Sequence, residues 1–102
     1  MDKINWTELS LQDIENIAEY ISLDSERYAE LTVFELYKST EILEKFPTIG
    51  RIVPEFKNKK IREIIKGNFR IIYKIINENR IDILTVYHSK RKLKRKNRSN
   101  NL

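Results

Sequence analysis

The sequence predicts an α+β domain: one short strand, two helices, then three antiparallel strands, with a helical hairpin packed on one sheet face. Three observations predict it. Residues 61–76 (IREIIKGNFRIIYKII) set two isoleucine- and aromatic-rich runs either side of Gly67-Asn68, a pair suited to a tight hairpin turn. Residues 80–88 alternate, with Ile81, Ile83, Thr85 and Tyr87 against Asp82, Leu84, Val86 and His88. Upstream of both, apolar residues recur at helical spacing over two segments.

Each element has its own signal. Ile4 and Trp6 alternate over Lys3–Trp6, a short first strand. Thr7 or Ser10 caps the first helix, and Ser10 with Asp13 has capping-box spacing. Leu11, Ile14, Ile17, Ala18 and Ile21 form its buried stripe. Asp24 or Ser25 caps the second helix, whose stripe is Ala29, Val33, Leu36, Thr40 and Leu43. Leu31, Phe34 and Ile42 give that helix a second face that is not fully polar, and Pro47 ends it near Phe46. Residues 47–60 then read as a loop, long for so small a domain, and long loops often carry function. Pairing across a two-residue turn sets Ile65 opposite Arg70, Ile64 opposite Ile71 and Arg62 opposite Tyr73. Phe69, Ile71, Tyr73 and Ile64 therefore share a core face, and Arg70, Ile72, Lys74, Glu63 and Ile65 share the other.

A chain of 102 residues is one domain with one modest core, here 1–88, followed by a basic tail, 89–102. It has no cysteine, which excludes disulfides and thiolate zinc sites. No apolar run approaches signal-peptide or membrane-spanning length, so a cytoplasmic protein without membrane contact is expected. The charge is divided. Residues 1–46 carry 4 Lys+Arg against 11 Asp+Glu, residues 47–88 carry 9 against 4, and residues 89–102 carry 7 against none. A polyanion or an acidic partner is expected at the basic half.

Arg70, mid-strand among apolar neighbours, needs either a carboxylate partner such as Glu63 or an anionic ligand. His88 is the one histidine. An odd number of unpaired residues in the 77–80 loop would bring it opposite Arg70; an even number would bring Tyr87 there instead. In the first case Arg70, Arg62 and Arg91 surround His88, with Glu55 from the loop and Lys57, Lys59 and Lys60 at the rim. That set suits metal-independent RNA cleavage: Glu55 or His88 as base, His88 as acid, and Arg70 or Arg62 on the phosphorane charge. Arginine matches phosphate geometry with two prongs. The sequence lacks a nucleophile elbow and a phosphate-binding glycine loop, and one histidine with scattered carboxylates makes a poor metal site. No metal or other cofactor is expected.

The sequence resembles the RelE/ParE superfamily of type II toxin–antitoxin toxins, which include plasmid stabilisation proteins. The resemblance covers nearly all of residues 4–93. It rests on Trp6, Asp24-Ser25 with Ala29, the run Phe46-Pro47-Thr48-Ile49-Gly50-Arg51, Val53-Pro54-Glu55, Arg62-Glu63, Phe69-Arg70-Ile71-Ile72-Tyr73, Ile83 to Val86, and His88-Ser89-Lys90-Arg91. It implies a β-α-α-β-β-β toxin on an antiparallel sheet, neutralised by a cognate antitoxin. RelE-like members cut messenger RNA on the ribosome, and ParE-like members poison DNA gyrase. Arg70 matches the strand arginine of the RNA-cleaving members, and Arg91 or Lys90 matches their C-terminal basic position. His88 and Glu55 match the histidine and loop carboxylate of the YoeB-like branch, where Ser89 replaces a tyrosine. The Pro-x-x-Gly-Arg loop and the His-x-x-Arg ending look more like ParE. On side-chain chemistry, an mRNA interferase ranks first; a gyrase inhibitor without nuclease activity is the alternative, and a degenerate toxin that only binds antitoxin or nucleic acid is the third.

Overall fold

The computed structural model describes residues 3–89. Strand β1 (Ile4–Trp6) leads into helices α1 (Glu8–Ser22) and α2 (Glu26–Ser39), and a 3-10 turn follows at Glu41–Glu44. Strand β2 (Arg51–Ile52), a second 3-10 turn (Pro54–Phe56), and strands β3 (Ile61–Lys66), β4 (Phe69–Asn77) and β5 (Arg80–His88) complete the elements of the described residues. The sheet order is β1-β5-β4-β3-β2. The α+β class and the helical hairpin on one sheet face are as expected. The sheet itself is mixed, because β1 lies parallel to β5 while the other pairs are antiparallel. It also has a fifth strand, the two-residue β2, inside the segment expected to be loop. No helix among the described residues is long and apolar enough to cross a membrane.

Local chemistry sets the helix ends. Thr7 caps α1, its hydroxyl accepting from the Ser10 N–H at 3.2 Å, and Ser25 caps α2 by accepting from the Tyr28 N–H at 3.0 Å. Helix α2 stops at Ser39, well short of Phe46. There the hydroxyls of Ser39 and Thr40 donate back to the carbonyls of Leu36 and Tyr37, and such side-chain bonds compete with the α-helical ladder.

The hairpin register is the expected one: Ile65 faces Arg70, Ile64 faces Ile71, and Arg62 faces Tyr73. Gly67 supplies the turn with φ +60, as a first central residue of a II′ turn requires. Ile71, Tyr73, Ile81, Ile83 and Val86 pack from the sheet against Ile14, Leu36 and Leu43. Val86 takes the core position that strict alternation would give to Thr85. A bulge that leaves Leu84 unpaired on β5 explains this, and a second bulge leaves Ile76 unpaired on β4.

The buried face of α1 also differs from the apolar stripe. Leu11 is exposed, while Ser10 and Asp13 are buried. The Asp13 carboxylate accepts from the Val86 N–H at 3.0 Å and from the Thr85 hydroxyl. Thr7 donates to the Ile83 carbonyl at 2.7 Å. Because β1 pairs only as far as Ile83, Asp13 takes over beyond it, satisfying the Val86 N–H on the β5 edge.

Candidate functional site

The sheet face turned away from the helices carries a row of charge. Glu63 on β3 is 1% exposed, and Arg70 on β4 is 6% exposed. Glu63 Oε1 accepts from Arg70 Nε at 2.6 Å and also from Arg70 Nη2. Glu63 Oε2 accepts from Arg51 Nε. Strand pairing builds this row, since Arg51 lies opposite Glu63 across β2–β3. The Tyr87 ring covers the far side of Arg70, with Cζ 5.6 Å from the ring centroid, a cation–π distance. Arg70 thus has a carboxylate partner, the first of the two options that its sequence context allowed. Both carboxylate oxygens of Glu63 are occupied, so a fully buried anion is matched by two cations. Arg51 was visible in the sequence only as part of the Gly50-Arg51 pair, and not as a partner of Glu63.

His88 lies on the other face. It stands opposite Phe69 in the β4–β5 ladder, while Tyr87 stands opposite Arg70. The β4–β5 turn leaves two residues between Asn77 and Arg80, the even case, and the two bulges cancel so that the far end keeps that parity. The His88 ring meets Phe69 edge-on, with centroids 5.5 Å apart. It lines a pocket of about 310 Å³ with Asp13, Asn16, Ile17 and Tyr20 of α1. Arg70 and His88 are therefore not brought together.

Arg62 is spent on the backbone. Its Nη1 donates to the carbonyls of Thr48 at 3.1 Å and Gly50 at 2.9 Å, and its Nε donates to that of Lys59 at 2.9 Å. Tyr73 holds the same loop from below: its hydroxyl donates to the Pro47 carbonyl at 2.6 Å and accepts from the Gly50 N–H at 3.0 Å. Burial pushes the Tyr73 phenol above its usual range, against the smaller opposing pull of the Gly50 N–H and the Arg62 charge. Gly50 has to be glycine, because a Cβ there would lie 2.6 Å from both the Glu63 carbonyl oxygen and the Tyr73 hydroxyl.

Glu55 sits exposed in the 3-10 turn beyond β2, and Lys57, Lys59 and Lys60 are exposed on the connection to β3. These four share one loop tip. Three strand spacings of about 4.8 Å each, roughly 14 Å in all, separate β2 from the strand that carries His88. Glu55 and His88 thus lie at opposite sides of the sheet. Lys90 and Arg91 lie outside the described residues.

The sequence matches the family model described as the ParE toxin of type II toxin–antitoxin system, parDE, over residues 4–93. No curated protein matches it in sequence. In fold it is similar to a chain of a solved structure described as a chromosomal ParDE toxin–antitoxin system from P. aeruginosa, with a TM-score of 0.68 and 19% sequence identity over 86% of this chain and 96% of that one.

Proposed function

This chain belongs to the ParE toxin family of type II toxin–antitoxin systems, and from that premise we propose that it arrests growth by poisoning DNA gyrase rather than by cleaving messenger RNA. One observation carries the reading: the Arg70 guanidinium is held by a buried carboxylate on one sheet face, while His88 stands on the other. Cleavage of RNA without a metal needs a proton donor or acceptor and a phosphate-stabilising cation within hydrogen-bond reach of one reacting phosphate. With the sheet between them, Arg70 and His88 do not meet that requirement together. A gyrase binder has no such requirement, since it acts through surface complementarity. The Pro-x-x-Gly-Arg loop supports the same branch of the superfamily. Membership also implies an antitoxin as partner, and the basic half of the chain is the complement of an acidic antitoxin segment.

The test is a supercoiling assay with purified toxin, gyrase, ATP and relaxed plasmid, run beside transcript mapping in cells that express the toxin without antitoxin. Inhibited supercoiling, trapped gyrase–DNA cleavage complexes and intact transcripts are expected, with His88→Ala as toxic as the parent. Transcripts cut on translating ribosomes while gyrase stays active would overturn the proposal and return an mRNA interferase to first place.

A further inference from the structure

We infer that the loop tip between β2 and β3 is a contact for single-stranded nucleic acid, with Phe56 stacking on an unpaired base and Lys57, Lys59 and Lys60 neutralising the flanking phosphates. Phe56 is 51% exposed although it closes a 3-10 turn only three residues beyond the buried Val53. Half of this large aromatic residue is open to water, and it is not part of the core cluster. Between residues 55 and 60 the same turn carries three lysines, all exposed, against one carboxylate, Glu55.

The backbone of the tip is tied by short-range hydrogen bonds. The Phe56 N–H donates to the Val53 carbonyl at 3.1 Å and the Ile61 N–H to the Asn58 carbonyl at 3.0 Å. Asn58 Oδ1 accepts from the Lys60 N–H at 2.9 Å, and Arg62 fastens the Lys59 carbonyl. Lys57 completes the turn in the left-handed region, φ 49, which a non-glycine residue adopts only when its surroundings hold it there.

Two arguments select the ligand. Lysine is depleted in the cores of protein–protein interfaces, whereas an aromatic ring flanked by cations is the usual platform for single strands. The tip is a narrow turn, neither a helix nor a two-stranded ribbon, so it does not fill a duplex major groove, and a base offers its face only when unstacked. The inference stands apart from the choice of gyrase as target, because it concerns only what this tip touches.

The experiment uses the full-length toxin and fluorescein-labelled 12-mer oligonucleotides, single-stranded and duplex, with 5-iodouracil in the single strand for photocrosslinking. We expect the crosslinked peptide to contain Phe56, and Phe56→Ala to weaken single-strand binding about tenfold through the loss of base stacking on the ring. Phe56→Trp keeps the affinity, which separates loss of stacking from loss of fold. Replacing Lys57, Lys59 and Lys60 together by alanine lowers the slope of log affinity against log salt by about 2, at roughly 0.7 per phosphate contact. Because the 89–102 segment adds seven cations of its own, each readout is the difference from the parent chain. Crosslinking confined to other peptides, with Phe56→Ala binding like the parent, would overturn the inference. So would a Phe56→Ala variant that binds oligonucleotide normally but loses affinity for its antitoxin, since the tip would then be a protein-docking site.

Discussion

The two faces of the sheet bury their residues by different physics. On the helix side, Ile71, Tyr73, Ile81, Ile83 and Val86 pack against apolar residues of α1, α2 and the turn after α2. On the far side, Glu63 and Arg70 are buried nearly as deeply, but as an ion pair extended to the exposed Arg51. In the apolar layer the stabilisation is spread over many contacts, and each truncation has its own cost. In the charged row it is conditional, because each ion is tolerable only while its partner is present. A substitution that looks functional at Arg70 is therefore, first, a structural one.

The largest expected effect comes from breaking this row on one side. Arg70→Met leaves the Glu63 carboxylate buried with only Arg51, and denaturant unfolding should show a loss of about 3–5 kcal/mol. Replacing both residues, Glu63→Met with Arg70→Met, removes the stranded charge, and the double variant should lie close to the parent or above it. Arg51 tolerates the change because its side chain is 69% exposed and regains water. The double variant also carries a functional reading: retained toxicity would mean that Arg70 holds the fold and touches no substrate. A double variant as unstable as Arg70→Met would erase the contrast between the faces.

The apolar face contains one polar group that behaves like the charged row. Tyr73→Phe deletes the hydroxyl between the Gly50 N–H and the Pro47 carbonyl, leaving a donor and an acceptor without their partner, at a cost of about 1–3 kcal/mol. The change should fall on the 47–60 loop, detected as faster amide exchange there than in β4 and β5. It also has a pH signature. The phenol's folded pKa is raised, so its contribution is fully present below the unfolded value of about 10 and is lost as pH rises through the folded one. The parent should lose stability above about pH 10, and Tyr73→Phe should lack that component.

How legible each region was follows the same division. The hairpin at 61–76 could be read residue by residue, because a two-residue turn fixes the register and alternation fixes the faces. The pairing of Arg70 with a carboxylate was also visible as one of two options, with Glu63 two positions from its register partner. The relation of Arg70 to His88 was not, since it turned on the parity of one turn and on two bulges that cancel at Leu84 and Ile76. Bulges carry no strong local signal, and each reverses every side chain beyond it. The 47–60 segment was obscure for another reason. Its shape comes from Arg62 and Tyr73, which lie far along the chain and bind its carbonyls and the Gly50 N–H. Asp13 was read as a residue for the helix N-terminus, and it is instead a buried acceptor for β5, a role set wholly by where β1 stops.

The smallest expected effect sharpens the comparison from the solvent side. Asp82 on β5 accepts from Arg80 Nε at 2.8 Å and from Asn5 Nδ2 at 3.0 Å. The Arg80 hydrogen bond is the main reason its carboxyl sits below the usual carboxylate range, with burial opposing and Asn5 assisting. Its folded pKa is depressed, so its contribution is present above the unfolded value of about 3.9 and disappears as pH falls through the folded one. Asp82→Asn should therefore melt slightly below the parent at pH 7 and together with it near pH 2, in contrast to the pH 7 loss at Arg70. Arg80 is exposed and rehydrates when its partner is neutralised, so the pair does not strand a charge as Glu63 would. A loss at pH 7 as large as that of Arg70→Met would mean that the sign of the charges decides stability, and their burial does not.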